Sequence, residues 1–321
     1  MIENNAKSLA IILPCFNEAE VIPKTAVILE SLLSDMISQK KVAKNSYLLF
    51  IDDGSTDSTW ATIENLAKKS YHFRGIKLTR NVGHQNALLS GLVNSDSDMT
   101  ISLDVDLQDD VRLIPEMVDK YSEGYEVVFG VRKGRVVDSF LKRNSARCFY
   151  KIISNMGVNQ IENHADFRLM GRKSISALKK YSESHLYLRG IIPQLGFNST
   201  KLYYERSERR QGSSKYPLVK MISLALTGIT SMSVTPLRMI SAFGFFISIC
   251  SFIGGVHAIY AKLVYDTVDG WTSLMTAIFF LGGVQLLAIG IIGEYIGRTY
   301  IEVKKRPNYV IELATDGSKY V

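Results

Sequence analysis

Short apolar runs alternate with helix-spaced stretches through the first part of the chain. Residues 9–13 form a continuous apolar run, a buried-strand pattern that breaks at Pro14. Over residues 19–39, Val21, Thr25, Ile28, Leu32 and Leu33 recur at helical spacing. The alternation then repeats. Strands are predicted at 47–51, 75–79, 99–103 and 126–130, with helices at 56–69, 85–93 and 113–121. A chain that alternates in this way builds a mostly parallel sheet covered by helices on both faces. Residues 139–153 read as a helix, with Arg143, Arg147 and Lys151 in one basic stripe. Residues 190–202 read as β or loop.

The pattern changes at the end of the chain. Residues 239–261 and 271–293 each run for about 23 residues without Asp, Glu, Lys or Arg. At about 1.5 Å per residue, such a helix crosses a hydrocarbon core of roughly 30 Å. The predicted organisation is therefore an α/β head over 1–215 and an interfacial amphipathic segment over 216–237. Two transmembrane helices follow within 238–298 (about 239–261 and 271–295), then a tail over 299–321. Glu294 and Arg298 are spaced to pair near the end of the second span.

Charge orients this arrangement. The connector contains Lys262, Asp266 and Asp269, whereas Arg238 precedes the first span and Arg298, Lys304, Lys305 and Arg306 follow the second. The positive-inside rule puts both outer ends in the cytoplasm. Residues 9–13 are too short and lack the basic flank of a signal peptide, so the head is expected to stay cytoplasmic. Net charge is +7, which favours anionic lipid or a phosphorylated substrate. No nucleic-acid motif or basic tail accompanies it. Cys15, Cys148 and Cys250 are scattered, so neither a disulfide framework nor a zinc site follows.

Three acidic or turn motifs close predicted strands. They are Pro14-Cys15-Phe16-Asn17-Glu18, Asp52-Asp53-Gly54-Ser55-Thr56-Asp57 and Asp104-Val105-Asp106. In a parallel sheet, ligands sit beyond the carboxyl ends of the strands, so Asp52, Asp53, Asp104 and Asp106 are expected to line one crevice. Two carboxylates one residue apart suit Mg²⁺ or Mn²⁺, with phosphate oxygens completing the shell. Spacing alone leaves each motif open to an ordinary turn-and-cap reading.

Together, in this order, the motifs resemble the family 2 glycosyltransferases, over about residues 8–216. Further motifs narrow the resemblance. They are Arg80-Asn81-Val82-Gly83-His84-Gln85-Asn86, Asp104 to Asp109, Asp166-Phe167-Arg168-Leu169-Met170, Gly212-Ser213-Ser214-Lys215-Tyr216 and Gly293-Glu294-Tyr295-Ile296-Gly297-Arg298. With two C-terminal spans, the set resembles the polyprenyl-phosphate glycosyltransferases, and most of all the bactoprenol glucosyltransferases of O-antigen modification. Ala165 departs from the pattern, standing where Gly is expected. The Gln-x-x-Arg-Trp motif of processive synthases is missing.

The resemblance implies a GT-A, Rossmann-like fold. It implies that Pro14, Phe16, Glu18, Asp53, Asn81 and Gln85 surround the nucleotide sugar, that Asp104 contacts the nucleotide, and that Asp106 holds Mg²⁺ or Mn²⁺. Asp166 would orient donor or acceptor. The acceptor phosphate needs cations, and the candidates are Arg132, Arg143, Arg147, Arg209 and Lys215, with Arg132 and Arg143 foremost. The expected reaction is inverting transfer of glucose from UDP-glucose to undecaprenyl phosphate, in a bacterial plasma membrane, by a homo-oligomer for which a tetramer is implied. Rival readings are another donor sugar, including GDP-mannose, and a non-catalytic partner of a lipid-sugar flippase.

Overall fold

The computed structural model describes residues 6–133, 164–181, 183, 187–205, 235–264 and 270–315. In chain order these form β1 (Leu9–Cys15), α1 (Ile22–Ser38), β2 (Tyr47–Asp52), α2 (Thr59–Lys69), β3 (Phe73–Leu78), α3 (His84–Asn94) and β4 (Met99–Ser102). Next come α4 (Ile114–Ser122), β5 (Val127–Arg132), β6 (His164–Gly171), α5 (Arg172–Leu178), α6 (Leu188–Gln194) and β7 (Ser199–Tyr204). The chain ends with α7 (Thr235–Val264), α8 (Trp271–Lys304) and β8 (Ile311–Ala314). The reading for 139–153, the segment 216–237 up to residue 234, and residues Arg143, Arg147, Arg209 and Lys215 lie outside the described residues.

The strands make one eight-stranded sheet in the order β7-β5-β6-β4-β1-β2-β3-β8. β1 pairs in parallel with β2 and β4, and β2 with β3. β6 runs antiparallel to both β4 and β5, and β8 antiparallel to β3. Every residue of β1 and β2 is buried, because helices cover both faces. Leu9, Ile11, Leu13, Leu48 and Phe50 join Ile22, Ala26, Leu29 and Leu33 of α1 in one cluster. On the other face α3 comes so close that a Cβ on Gly91 would lie 2.3 Å from Cγ2 of Ile12.

Three elements differ from the sequence reading. β1 does not stop before Pro14 but runs through it to Cys15. Ile12 carbonyl accepts from Leu103 N–H on the β4 side. Pro14 presents its missing donor on that same side, two residues on, where β4 has ended, so no ladder bond is lost. Residues 190–202, read as β or loop, supply most of α6 and the first four residues of β7. The stretch read as a tail continues α8 to Lys304 and then returns a strand to the sheet edge.

Two compact units result. The first holds the sheet with its covering helices and includes residues 306–315; the second holds α7 and α8. β8 is tied into the first unit by its ladder, by Thr315 Oγ1 accepting from Gly75 N–H at 2.8 Å, and by Asn94 Nδ2 donating to the Tyr309 hydroxyl at 3.1 Å. Within α8, Phe280–Lys304 is long and apolar enough to cross a membrane, with mean hydropathy 1.5. Phe243, Phe245, Phe246 and Phe252 of α7, and Leu286, Leu287 and Ile289 of α8, are exposed.

Candidate active site

Strand direction brings the site together. β1, β2 and β4 end on the same side, and antiparallel β6 begins there. The loops above these ends brace one another. Ser55 Oγ accepts from Asn17 N–H, Asn17 Oδ1 accepts from Thr56 N–H at the same 2.9 Å, and Thr59 Oγ1 accepts from Glu18 N–H at 2.9 Å. Asn17 adopts φ +54°, which aims the turn. Phe16 is exposed and Glu18 half-buried at the rim, while Pro14 is buried. The Cys15 thiol lies beneath, where burial and the charges of Asp52 and Glu18 push its pKa well up, so it is an inert core group.

Asp52 and Asp53 do not line open space as their strand-end position implies. Both are buried and build the walls. Asp52 Oδ1 accepts from Ser55 N–H at 3.0 Å. Asp53 accepts from the N–H groups of Val82 and Gly83 at 2.8 and 3.0 Å, fixing the loop that carries exposed Asn81 and leads into α3. Burial, with the charge of Asp52 adding to it, raises the Asp53 pKa against the two donors and His84. Gly54 lies under the same loop at φ +65°, where a Cβ would be 2.4 Å from the backbone carbon of Arg80. Only glycine fits that approach.

The Asp104-Val105-Asp106 turn is anchored by its middle residue. Val105 is in the core, and its carbonyl accepts from Thr25 Oγ1 of α1 at 2.6 Å. Asp104 is therefore left half-exposed and Asp106 exposed. Burial raises the Asp104 pKa, with Asp109, Asp166 and Asp106 adding to it and His84 opposing. Asp106 Oδ1 accepts from Gln108 N–H at 3.3 Å, which leaves Oδ2 for a ligand. One or two carboxylates with free oxygens fit Mg²⁺ or Mn²⁺ shared with a diphosphate.

Asp166 is the centre of a dense charge cluster at the start of β6. Its side chain is 4% exposed. Oδ1 accepts from Arg168 Nη2 at 2.5 Å and from Arg189 Nε at 3.2 Å. Oδ2 accepts from Arg189 Nη2 at 2.8 Å and Gln85 Nε2 at 3.3 Å, with His84 Nε2 at 3.3 Å. Its backbone carbonyl accepts from Ser102 Oγ. Burial alone would raise the Asp166 pKa, but His84, Arg168 and Arg189 together hold it well below the usual carboxylate range. His84 also reaches Asp104 Oδ1 at 3.6 Å. Burial disfavours its imidazolium, yet Asp166 and Asp104 outweigh that and raise its pKa.

Arg132 lies at the end of β5 and is already committed. Its Nη2 and Nε reach Asp109 Oδ1 at 2.8 and 3.1 Å, and the Tyr204 hydroxyl donates to the same oxygen at 2.6 Å. Asp109 and Arg189 are not among the site residues read from the sequence. Arg189 had a signal: a lone guanidinium between Leu188 and Gly190-Ile191-Ile192 requires a buried counter-charge.

Residues 10–178 match the glycosyl transferase family 2, and residues 235–299 match the GtrB C-terminal hairpin. The chain is 48% identical to the uncharacterized glycosyltransferase YkoT of Bacillus subtilis, covering 95% of this chain and 91% of that one. It is 39% identical to the SfII prophage-derived bactoprenol glucosyl transferase of Shigella flexneri, covering 97% and 99%. It is 38% identical to the prophage bactoprenol glucosyl transferase homolog of Escherichia coli, covering 95% and 98%. A strand-end carboxylate crevice in a mostly parallel sheet, and matches that span both head and C-terminal helices, make this chain an enzyme of the family 2 glycosyltransferases.

Proposed function

We propose that this enzyme transfers glucose from UDP-glucose to undecaprenyl (bactoprenol) phosphate, inverting the anomeric centre. The observation that carries the reading is the near-full-length likeness to bactoprenol glucosyl transferases, including the helices that would meet a lipid. The state of Asp166 supports it. A carboxylate with four side-chain donors and a strongly lowered pKa is a poor base. A phosphate monoester needs none, since its second pKa is about 6 and it is largely a dianion at neutral pH.

In this reading Phe16, Glu18 and Asn81 border the nucleotide, and Pro14, Asp53 and Gln85 shape its pocket from behind. Asp106, with Asp104 beside it, would hold Mg²⁺ or Mn²⁺. The cation would neutralise charge on the departing diphosphate. Asp166 keeps the Arg189 guanidinium and the His84 imidazole near Asp104. The use of the product in O-antigen modification, and a homo-oligomeric (tetrameric) assembly, rest on the sequence resemblance. The exposed phenylalanines of α7 suit either lipid or a neighbouring copy.

A pair of membrane crossings is supported by topology as well as by hydropathy. β7 and β8 belong to one sheet, so the chain between Tyr204 and Ile311 crosses any membrane an even number of times. With Phe280–Lys304 as one crossing, α7, 30 residues long, is the natural second. The head and residues 306–315 would both be cytoplasmic, on the inner face of a bacterial plasma membrane.

The test is label transfer from UDP-glucose to undecaprenyl phosphate by the full-length enzyme in detergent. Metal-dependent label in the lipid phase, abolished by EDTA and by Asp106→Ala, is expected. Label only with a different nucleotide sugar would replace glucose but keep the chemistry. No label with any donor would overturn the reading.

A further inference from the structure

The structure points to Arg189, aimed by Asp166, as the anchor for the phosphate of the acceptor; this rests on the lipid-phosphate reading above. We infer this from how charge is distributed around the crevice. Asp166 carries one negative charge and faces two guanidinium groups, Arg168 and Arg189, with His84 also in reach. Arg168 is fully buried and its side chain is unavailable to a substrate. Arg189 is different, with 39% of its side chain exposed.

Its donors are divided usefully. Nε and one Nη2 proton bind the two carboxylate oxygens, which locks the plane of the guanidinium. Nη1 makes no described hydrogen bond, so at least its two N–H groups remain for a second anion. Planar, pre-aimed N–H pairs are the geometry that phosphate oxygens select. The position is apt as well. His84 bridges from Asp166 to Asp104, so the free edge of Arg189 belongs to the same cluster as the carboxylates at the donor diphosphate.

Arg132, the foremost described candidate from the sequence, has the opposite balance. It is matched one-to-one with Asp109, whose side chain is 1% exposed, and Tyr204 closes the pair. Withdrawing Arg132 toward a phosphate would strand that carboxylate in the interior.

The experiment is steady-state kinetics on full-length Arg189→Ala and Arg189→Lys in detergent, varying undecaprenyl phosphate at saturating UDP-glucose. UDP affinity is measured separately by calorimetry. Arg189→Ala is expected to raise the KM for the lipid phosphate about tenfold or more, the range for a charge-assisted hydrogen bond. UDP affinity should stay within about twofold, as for a residue whose free N–H pair meets the acceptor and not UDP. Arg189→Lys keeps charge beside Asp166 but loses the fork, and is expected to fall between the two. If Arg189→Ala unfolds, the Lys variant alone decides. An unchanged acceptor KM with lowered kcat, or an equal loss of UDP affinity, would show that Arg189 only holds Asp166, and would overturn the inference. Should the unmodified enzyme label no polyprenyl phosphate, the parent reading falls first. Transfer by the unmodified enzyme with normal acceptor KM in both variants would sink this inference alone.

Discussion

At the residue scale, Arg168, Arg189 and His84 hold Asp166 as an anion, which suits a positioning role better than proton transfer. Its pKa is lowered, so its contribution to stability is complete above the unfolded value near 3.9 and is lost as pH falls through the lower folded value. No ionisation of Asp166 should therefore appear in a pH–rate profile between about pH 5 and 8. Asp166→Asn leaves Arg168 buried without its counter-charge. We expect a loss of about 3–5 kcal/mol, visible as a lower midpoint of thermal unfolding, together with loss of transfer. A variant as stable as the parent would contradict this account. His84 has the opposite sign. Its raised pKa gives stability that is full below about pH 6.5 and lost as pH rises through the folded value. His84→Asn should accordingly cost more at pH 6 than at pH 9 in thermal unfolding; a pH-independent difference would refute the ion pairs as its source.

At the element scale, loops are placed by contacts the sequence does not advertise. The turn after β2 was legible as a turn, but its two acids were read as facing ligand, and instead they bind backbone N–H groups. Gly54→Ala tests this. The new methyl would meet Arg80 and Asn81 backbone, and φ +65° is strained for alanine. Expected are a loss of about 1–3 kcal/mol in stability, as for overpacking, and weaker UDP binding because the 80–83 loop must shift. Unchanged UDP affinity by calorimetry would show that this loop does not border the nucleotide. β6 carries the Asp-Phe-Arg-Leu-Met motif, and the sequence pattern predicts no strand there. Phe167 and Leu169 enter the core while Asp166 and Arg168 alternate with them on a face that is buried as well, and charges in a strand buried on both faces run against the apolar run expected there.

At the scale of the whole molecule, the return of β8 makes residues 311–314 part of the head. Reporter fusions should find residues 1–205 and the C-terminus on one side of the membrane, and an insertion after Asp266 on the other. A fusion at Asp266 on the same side as the head would exclude the hairpin. The strand also covers the β3 edge, which would otherwise expose unpaired backbone groups.

Local chemistry determined much of this protein in advance. Apolar period specified the strand–helix alternation, strand ends located the carboxylates, and uncharged length marked the terminal helices, because each depends on neighbours in the chain. Only the tertiary structure decided which charges meet. Asp166 finds Arg189 and His84, Asp109 claims Arg132, and Ile311–Ala314 finds β3, across separations of 23 to 238 residues. Such pairings are set by strand order and burial. A charge removed from water takes whichever partner the fold brings within reach, and no local pattern encodes that choice.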